Sequence, residues 1–116
     1  MSALPIDRFR LDGSLAVVTG ASSGIGRHCS MMLAGMGASI VLGARRIDQL
    51  QHTVTEITQG GGKAHAFPLD VTSANSVKAF FDAVATLGNP NILINNAGTS
   101  ISKPLLEQSE SDWDLV

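Results

Sequence analysis

The sequence of 116 residues contains a single cysteine, Cys29. A disulfide framework is therefore excluded, and because Cys29 falls on the apolar side of a predicted helix, we expect a buried thiol in a reducing compartment. The sequence also lacks any apolar run approaching about 18 residues. Its first 13 residues contain charged side chains where a signal peptide has an apolar core. We therefore expect neither a signal peptide nor a membrane span, and a cytoplasmic location.

Charge is sparse and both signs are scattered. Charged residues make up 16% of the sequence, the net charge is −2, and no basic stripe is present to neutralise a nucleic-acid backbone or an anionic membrane. The three histidines, His28, His52 and His65, have no ligand spacing to one another or to Cys29, so no metal site is expected. The apolar content of 44% is typical of a packed α/β interior, and we interpret residues 1–116 as belonging to one domain.

The stretch Leu15 to Gly26 reads LAVVTGASSGIG and predicts a buried strand, a turn and the start of a helix. Gly20 permits a sharp exit from the strand, Gly24 removes a Cβ that would keep phosphates off the backbone, and Gly26 lets the helix lie close to the sheet. The first amides of the helix are unpaired and carry partial positive charge, which predicts a pyrophosphate site. Two hydroxyl groups are extra donors: Ser22 and Ser23. A tight connection that binds nothing is the alternative.

Strand and helix patterns alternate along the rest of the chain. Apolar spacing predicts helices over about Gly24 to Met36, Asp48 to Gln59 and Ser73 to Leu87. Short apolar runs predict strands over Ser39 to Gly43, Lys63 to Leu69 and Asn91 to Ile94. In the first helix the expected buried stripe is Ile25, Cys29, Met32, Leu33 and Met36. Ser109 is expected to start a further helix after the loop Thr99 to Gln108.

The end of the second strand carries a basic pair, Arg45 and Arg46, and no acidic residue. In a dinucleotide-binding β-α-β unit this strand end faces the adenosine ribose, where a carboxylate repels a 2′-phosphate and an arginine binds it. Arg45 is the first candidate for that phosphate and Arg46 the second. Either arginine could instead be a solvated residue at the start of a helix.

The third and fourth strands also end in polar residues. Asp70 can accept a hydrogen bond from an exocyclic amine and Val71 can cover one face of a base, so this pair suits an adenine; the alternative is that Asp70 caps the next helix, for which Thr72 and Ser73 are also suitable. The fourth strand ends in a tetrapeptide whose amides can fix the loop and whose small residues leave room for a ring: Asn95, Asn96, Ala97 and Gly98.

Taken together and in this order, these motifs closely resemble the N-terminal half of the short-chain dehydrogenase/reductase family. The resemblance extends over nearly the whole chain but only about half of a family member, and Ser109 to Val116 resembles the start of the family's long central helix. It implies a Rossmann-type, doubly wound parallel sheet, truncated here after the fourth strand and the start of the following helix. It also implies binding of NADP(H), with NAD less expected, and hydride transfer to or from a carbonyl or alcohol carbon.

The resemblance also assigns residues. The pyrophosphate loop matches Gly20, Ser22, Ser23, Gly24, Ile25 and Gly26; Arg45 matches the NADP-selecting position; Asp70 and Val71 match the adenine contact; and the nicotinamide side matches Asn95, Asn96, Ala97 and Gly98. For the full-length form it implies a small-molecule carbonyl or alcohol substrate and a homo-oligomer, with neither nucleic acid nor membrane as a partner.

The family's proton donor is a tyrosine assisted by a lysine, and this chain contains no tyrosine. We therefore assign no catalytic residue and expect the chain alone to be inactive, with the catalytic residues lying beyond Val116. Two hypotheses remain: the cofactor-binding half of an NADP-dependent oxidoreductase, or a short, non-catalytic nucleotide-binding or interaction module. In the family's strand order, 3-2-1-4, the fourth strand of this chain lies at an unpaired edge, and we expect association through it.

Overall fold

The computed structural model describes residues 8–22, 24–97, 105–107 and 109–111. Strands and helices alternate within them, as the apolar pattern predicts. The strands are β1 (Leu15–Thr19), β2 (Ser39–Ala44), β3 (Lys63–Pro68) and β4 (Ile92–Ile94). The helices are α1 (Gly24–Gly35), α2 (Ile47–Gln59) and α3 (Ala74–Ala85), and a short 3-10 helix covers Leu105–Glu107. The predicted boundaries of these strands and helices differ by at most a few residues from the observed ones.

The four strands form one parallel sheet in the order β3-β2-β1-β4. All five residues of β1 are buried, as are the middle four of β2. Strands covered on both faces have no solvent side, which is why these segments show no alternation of apolar and polar residues. The predicted parallel sheet and its strand order are confirmed.

Helices cover both faces of the sheet, and alternate residues of each central strand face opposite layers. Ala16 and Val18 of β1 pack in one cluster with Ile40, Leu42 and the α2 residues Leu50 and Ile57. Val17 of β1 packs in the other cluster with Val41 and with Phe80 and Val84 of α3. The fold is therefore doubly wound: α1 and α2 cover one face of the sheet, and α3 covers the other.

The buried face of α1 differs in part from the predicted one, because Leu33 packs against the core but two other members of the stripe do not. The residues of α1 that are buried are Gly26 and Ser30, whereas Ile25 and Met32 are 73% and 60% exposed. The Ser30 hydroxyl donates to the Gly26 carbonyl at 2.7 Å, so its polar group is satisfied inside the helix. Small residues face the sheet because α1 lies so close to it. Cys29 is half-buried rather than fully buried.

The three helices of the sheet layers are 12 or 13 residues long, and none of the described residues forms a helix with the length and apolarity that a bilayer span requires. The helix predicted to begin at Ser109 is represented by Glu110 and Ser111, which are helical; residues 112–116 lie outside the described ranges, as do residues 98–104 of the predicted loop.

Strand β4 lies at the edge of the sheet and pairs with β1 along its inner side. Leu93 at its centre is 49% exposed, and an open groove beside the strand is lined by Val17, Phe81, Pro90, Asn91, Ile92 and Leu93. No charged residue occurs between Asp82 and Lys103, so the edge lacks the charges that usually prevent strand-to-strand association. We therefore expect self-association at this edge.

We expect the 116-residue chain to sediment as dimers or larger species because, among the described residues, the outer edge of β4 has no strand partner and Leu93 is half exposed. The substitution Leu93→Lys places a charge in the centre of this edge and is expected to shift the distribution toward monomer in sedimentation velocity. The control is Leu106→Lys, which adds the same charge at a side chain that is 98% exposed and outside the sheet. A monodisperse wild-type monomer contradicts the prediction.

Candidate functional site

The carboxyl ends of the four strands meet at one edge of the sheet because all strand pairs are parallel. Hydrogen bonds join the neighbouring ends directly. The amide of Gly20, just after β1, donates to the Gly43 carbonyl of β2 at 2.9 Å, and the amide of Leu69, just after β3, donates to the Ala44 carbonyl at 2.9 Å. The described residues that follow these strands therefore lie at one edge of the sheet.

The turn between β1 and α1 requires glycine at two positions with positive φ. Gly20 has φ +63° and Gly24 has φ +61°. A Cβ at Gly20 would lie 2.9 Å from the Ala97 Cα, whereas a Cβ at Gly24 would have no atom within 4 Å. Gly20 is thus fixed by packing against the loop after β4, and the open space in front of Gly24 can admit a ligand. Ser22 is half-buried in this turn, and Ser23 lies outside the described residues.

Helix α1 begins at Gly24, directly beside this space. Amides at the start of a helix have no acceptor within the helix and carry partial positive charge, and α1 has no acidic residue in its first turn. A Cβ at Gly26 would lie 2.5 Å from the Gly20 oxygen and 2.6 Å from the Asn96 Nδ2. The close approach predicted for Gly26 is confirmed. Ile25 next to it is exposed to solvent.

Thr19 organises the loop after β4, a role that the sequence interpretation missed. Its hydroxyl oxygen accepts from the amides of Asn96 and Ala97, both at 3.0 Å, and the hydroxyl donates to the Ile94 carbonyl at 3.4 Å. A hydroxyl on the last residue of β1, beside the end of a neighbouring parallel strand, is the signal that could have identified it. Thr19 is buried, so these bonds are shielded from water.

Asn96 ties the same loop to the glycine turn. Its side-chain Nδ2 donates to the Gly20 carbonyl at 3.1 Å. The prediction that an amide of this tetrapeptide bonds neighbouring backbone is confirmed for Asn96. Asn95 and Ala97 are exposed, and Gly98 lies outside the described residues. The turn after β1 and the loop after β4 therefore form one hydrogen-bonded unit.

The end of β2 presents two exposed arginines. Arg45 follows the strand directly, and Arg46 occupies the position before α2, where its side chain makes no capping bond to the helix. The first acidic residue after the strand is Asp48, in the first turn of α2. The end of β2 itself is thus basic.

Asp70 does not cap α3, so the capping alternative for Asp70 is wrong, and the adenine contact stays a prediction. Ser73 is the cap and accepts from the Ser76 amide at 3.2 Å. Asp70 Oδ1 instead accepts from the Thr72 amide at 3.0 Å and from the Thr72 hydroxyl at 2.6 Å. The pKa of Asp70 lies below its usual value. The main cause is the hydrogen bond from the Thr72 hydroxyl, followed by the bond from the Thr72 amide and by the charge of Arg45. Val71 beside it is 52% exposed.

The described residues contain no group of three or more histidine, cysteine, aspartate or glutamate side chains able to hold a metal ion. The site is therefore built from backbone amides, hydroxyls and amide side chains in its centre, with a basic group and an acidic group at the β2 and β3 ends. A glycine turn with open space, next to an arginine, favours a phosphorylated ligand.

Comparison with known proteins places this geometry in a family. The family model described as short chain dehydrogenase matches residues 14–116. The chain is 43% identical over 99 residues to 7alpha-hydroxysteroid dehydrogenase of Escherichia coli (strain K12), a match that covers 84% of this chain and 39% of that protein. The chain thus spans about two fifths of the length of that relative.

Two solved structures are similar to this fold. A 7alpha-hydroxysteroid dehydrogenase complexed with NADH and 7-oxo glycochenodeoxycholic acid has a TM-score of 0.88 at 38% identity, over 97% of this chain and 44% of that one. L-Sorbose reductase from Gluconobacter frateurii, complexed with NADPH and L-sorbose, has a TM-score of 0.85 at 33% identity, over 92% of this chain and 41% of that one. The two neighbours differ in the cofactor that they contain.

Proposed function

Because the chain belongs to the short-chain dehydrogenase/reductase family, we propose that it is the NADP(H)-binding part of an oxidoreductase that transfers a hydride between a nicotinamide cofactor and a carbonyl or alcohol. The observation that carries the proposal is the open cradle at Gly24, where positive φ and empty space coincide with the start of α1. A diphosphate fits such a site because amides and the helix dipole offset its negative charge.

The chain's own residues hold the cofactor at four strand ends. The amides after Gly24, with Ser22 and Ser23, bind the diphosphate, and Arg45 binds the 2′-phosphate, with Arg46 as a second candidate. Asp70 and Val71 contact the adenine. The nicotinamide side is formed by the loop that Thr19 and Asn96 fix, together with Asn95, Ala97 and Gly98. Two neighbours named with NADP or NADPH support this cofactor class.

When bound, the nicotinamide ring supplies or accepts the hydride. The proton that accompanies it needs an acid, and this chain has no tyrosine. Lys78 lies on the exposed side of α3, where its ammonium bonds the Asp82 carboxylate at 2.7 Å, and this pairing raises the pKa of Lys78. Lys78 is thus paired with Asp82 on an exposed helix face, and the chain by itself binds without turning over.

The absence of tyrosine also favours a second candidate function, a non-catalytic nucleotide-binding or interaction module. The reading frame beyond the codon for Val116 distinguishes the two. A downstream serine followed by Tyr-x-x-x-Lys supports the oxidoreductase, and a stop codon with stable expression supports the module. For the full-length oxidoreductase we propose a small carbonyl or alcohol substrate, a cytoplasmic location and a homo-oligomeric assembly. The steroid and sugar named for the two neighbours are consistent with such a substrate.

The substitution Gly24→Ala tests the proposed diphosphate site. Its new Cβ extends into the open space, and we expect NADPH to bind at least about tenfold more weakly, which equals about 1.4 kcal/mol. The measurement is a titration of NADPH against the wild-type chain and the variant by calorimetry or nucleotide fluorescence.

The matched control is Gly61→Ala. Gly61 has φ +90° and no atom within 4 Å of a Cβ, so the substitution introduces similar backbone strain of about 1–2 kcal/mol far from the strand ends. Both variants are expected to lose similar thermal stability, and Gly24→Ala alone to lose affinity. Equal NADPH affinity in the two variants would refute the assignment of the diphosphate site.

A further inference from the structure

Opposite charges lie on neighbouring strand ends at β2 and β3. The paired residues at these ends are Ala44 and Pro68, and the Leu69 amide donates to the Ala44 carbonyl at 2.9 Å. Arg45 immediately follows Ala44, and Asp70 immediately follows Leu69. Asp70 and the arginine proposed for the 2′-phosphate thus follow adjacent strand ends, and the charge of Arg45 contributes to the low pKa of Asp70.

Thr72 holds this carboxylate in position. Both of its hydrogen bonds, from the amide and from the hydroxyl, go to Oδ1 of Asp70. Within the part of the chain that the structure describes, Oδ2 accepts no hydrogen bond. The negative charge is therefore anchored and only partly compensated by hydrogen bonds, next to the end of β2.

We propose that Asp70 is a second specificity-determining residue, whose carboxylate repels the 2′-phosphate of the cofactor and so limits the preference for NADP(H) that Arg45 creates. This inference rests on the proposed function. A phosphate monoester carries about 1.5–2 negative charges at neutral pH, and its repulsion from one carboxylate across several ångströms of water-like surroundings weakens binding about three- to tenfold. NADH lacks this phosphate and does not experience the effect.

The ratio of two affinities isolates this effect. NADPH and NADH contain the same adenine, and so do the smaller probes 2′,5′-ADP and 5′-AMP. A change in the adenine contact therefore affects both members of a pair equally and cancels in the ratio of their affinities. We expect Asp70→Asn to raise the affinity ratio of 2′,5′-ADP to 5′-AMP about three- to tenfold at low salt. At about 1 M salt, where the screening length falls to about 3 Å, the gain is expected to disappear.

Two further variants serve as controls, one for the loss of a carboxylate elsewhere and one for a dependence on Arg45. Asp82→Asn makes the same chemical change on the exposed side of α3, where Asp82 pairs with Lys78 at 2.7 Å, and is expected to leave the ratio unchanged. The double variant Arg45→Ala/Asp70→Asn is compared with the single variant Arg45→Ala. We expect the affinity ratio of 2′,5′-ADP to 5′-AMP to be higher in the double variant, because the repulsion acts on the phosphate itself and does not need Arg45. A gain that requires Arg45 overturns the proposed repulsion.

The outcomes separate the inference from the proposed function. If 2′,5′-ADP binds and its ratio to 5′-AMP is unchanged or lower in Asp70→Asn, the inference is wrong and the proposed function stands. If the wild-type chain binds neither probe nor NADPH or NADH, the proposed function is wrong and the inference fails with it.

Discussion

Arg45→Ala is expected to weaken NADPH binding by about ten- to a hundredfold and to leave NADH binding nearly unchanged. A charge-assisted hydrogen bond contributes about 1.5–3 kcal/mol, which corresponds to this range of affinity. Arg45 is exposed at the end of β2, where the nearest acidic residue in sequence is Asp48 in α2. The measurement is a separate titration of the two cofactors against wild type and variant.

Arg46→Ala is the control, because it removes the same charge one residue further along, at the position before α2. We expect a smaller loss of NADPH affinity than for Arg45→Ala. Tighter binding of NADH than of NADPH by the wild-type chain, or unchanged NADPH binding in Arg45→Ala, would show that the cofactor assignment is wrong.

Gly26→Ala is expected to destabilise the fold and to abolish measurable cofactor binding. Its Cβ would lie 2.5 Å from the Gly20 oxygen and 2.6 Å from the Asn96 Nδ2, so α1 must move away from the site. Overpacking of this kind lowers the free energy of unfolding by about 1–3 kcal/mol. Because the Cβ would make two such contacts, we expect a loss near the upper end of this range. The melting temperature is expected to fall by about 8–15 °C, measured by circular dichroism.

Gly35→Ala is the matched control in the same helix. Nothing lies within 4 Å of a Cβ at Gly35, so the substitution adds helix propensity without a clash. We expect a gain of about 0.5–1 kcal/mol in the free energy of unfolding and normal cofactor binding. Loss of stability in both variants to the same extent would contradict the packing argument for Gly26.

The sheet could be predicted from the sequence because its central strands are uniformly apolar. Strand β1 is buried along its whole length and β2 along its middle four residues, and a strand covered by helices on both faces must have this composition. The glycine spacing after β1 located the turn for a related reason, since Gly20 and Gly24 adopt φ values that other residues avoid.

The orientation of α1 could not be predicted from apolar spacing alone. Hydrophobic periodicity selects the face with the largest side chains, but α1 lies so near the sheet that only Gly26 and Ser30 are buried, while Ile25 and Met32 remain exposed. The distance between a helix and a sheet is a property of the folded chain. Small residues at i and i+4, Gly26 and Ser30, are the signal in the sequence for such a close approach.

The role of Thr19 was missed because it depends on a partner distant in sequence. Its hydroxyl meets the amides of Asn96 and Ala97 only when β4 pairs beside β1. The structural role of Asp70 was left open for a similar reason, since Asp70, Thr72 and Ser73 are all good capping residues and local geometry selects Ser73. Contacts that depend on strand order or on the geometry of a specific turn cannot be predicted from the local spacing of residue types.

The joining of the glycine turn to the loop after β4 has a consequence for synthesis of the chain. The bond from the Asn96 amide to the Thr19 hydroxyl links residues 77 positions apart. Closing so long a segment is entropically costly and slow compared with local contacts. On the ribosome, we therefore expect nucleotide affinity to be acquired abruptly, once Ala97 has left the exit tunnel, although the residues proposed to bind phosphate emerge at the beginning of translation.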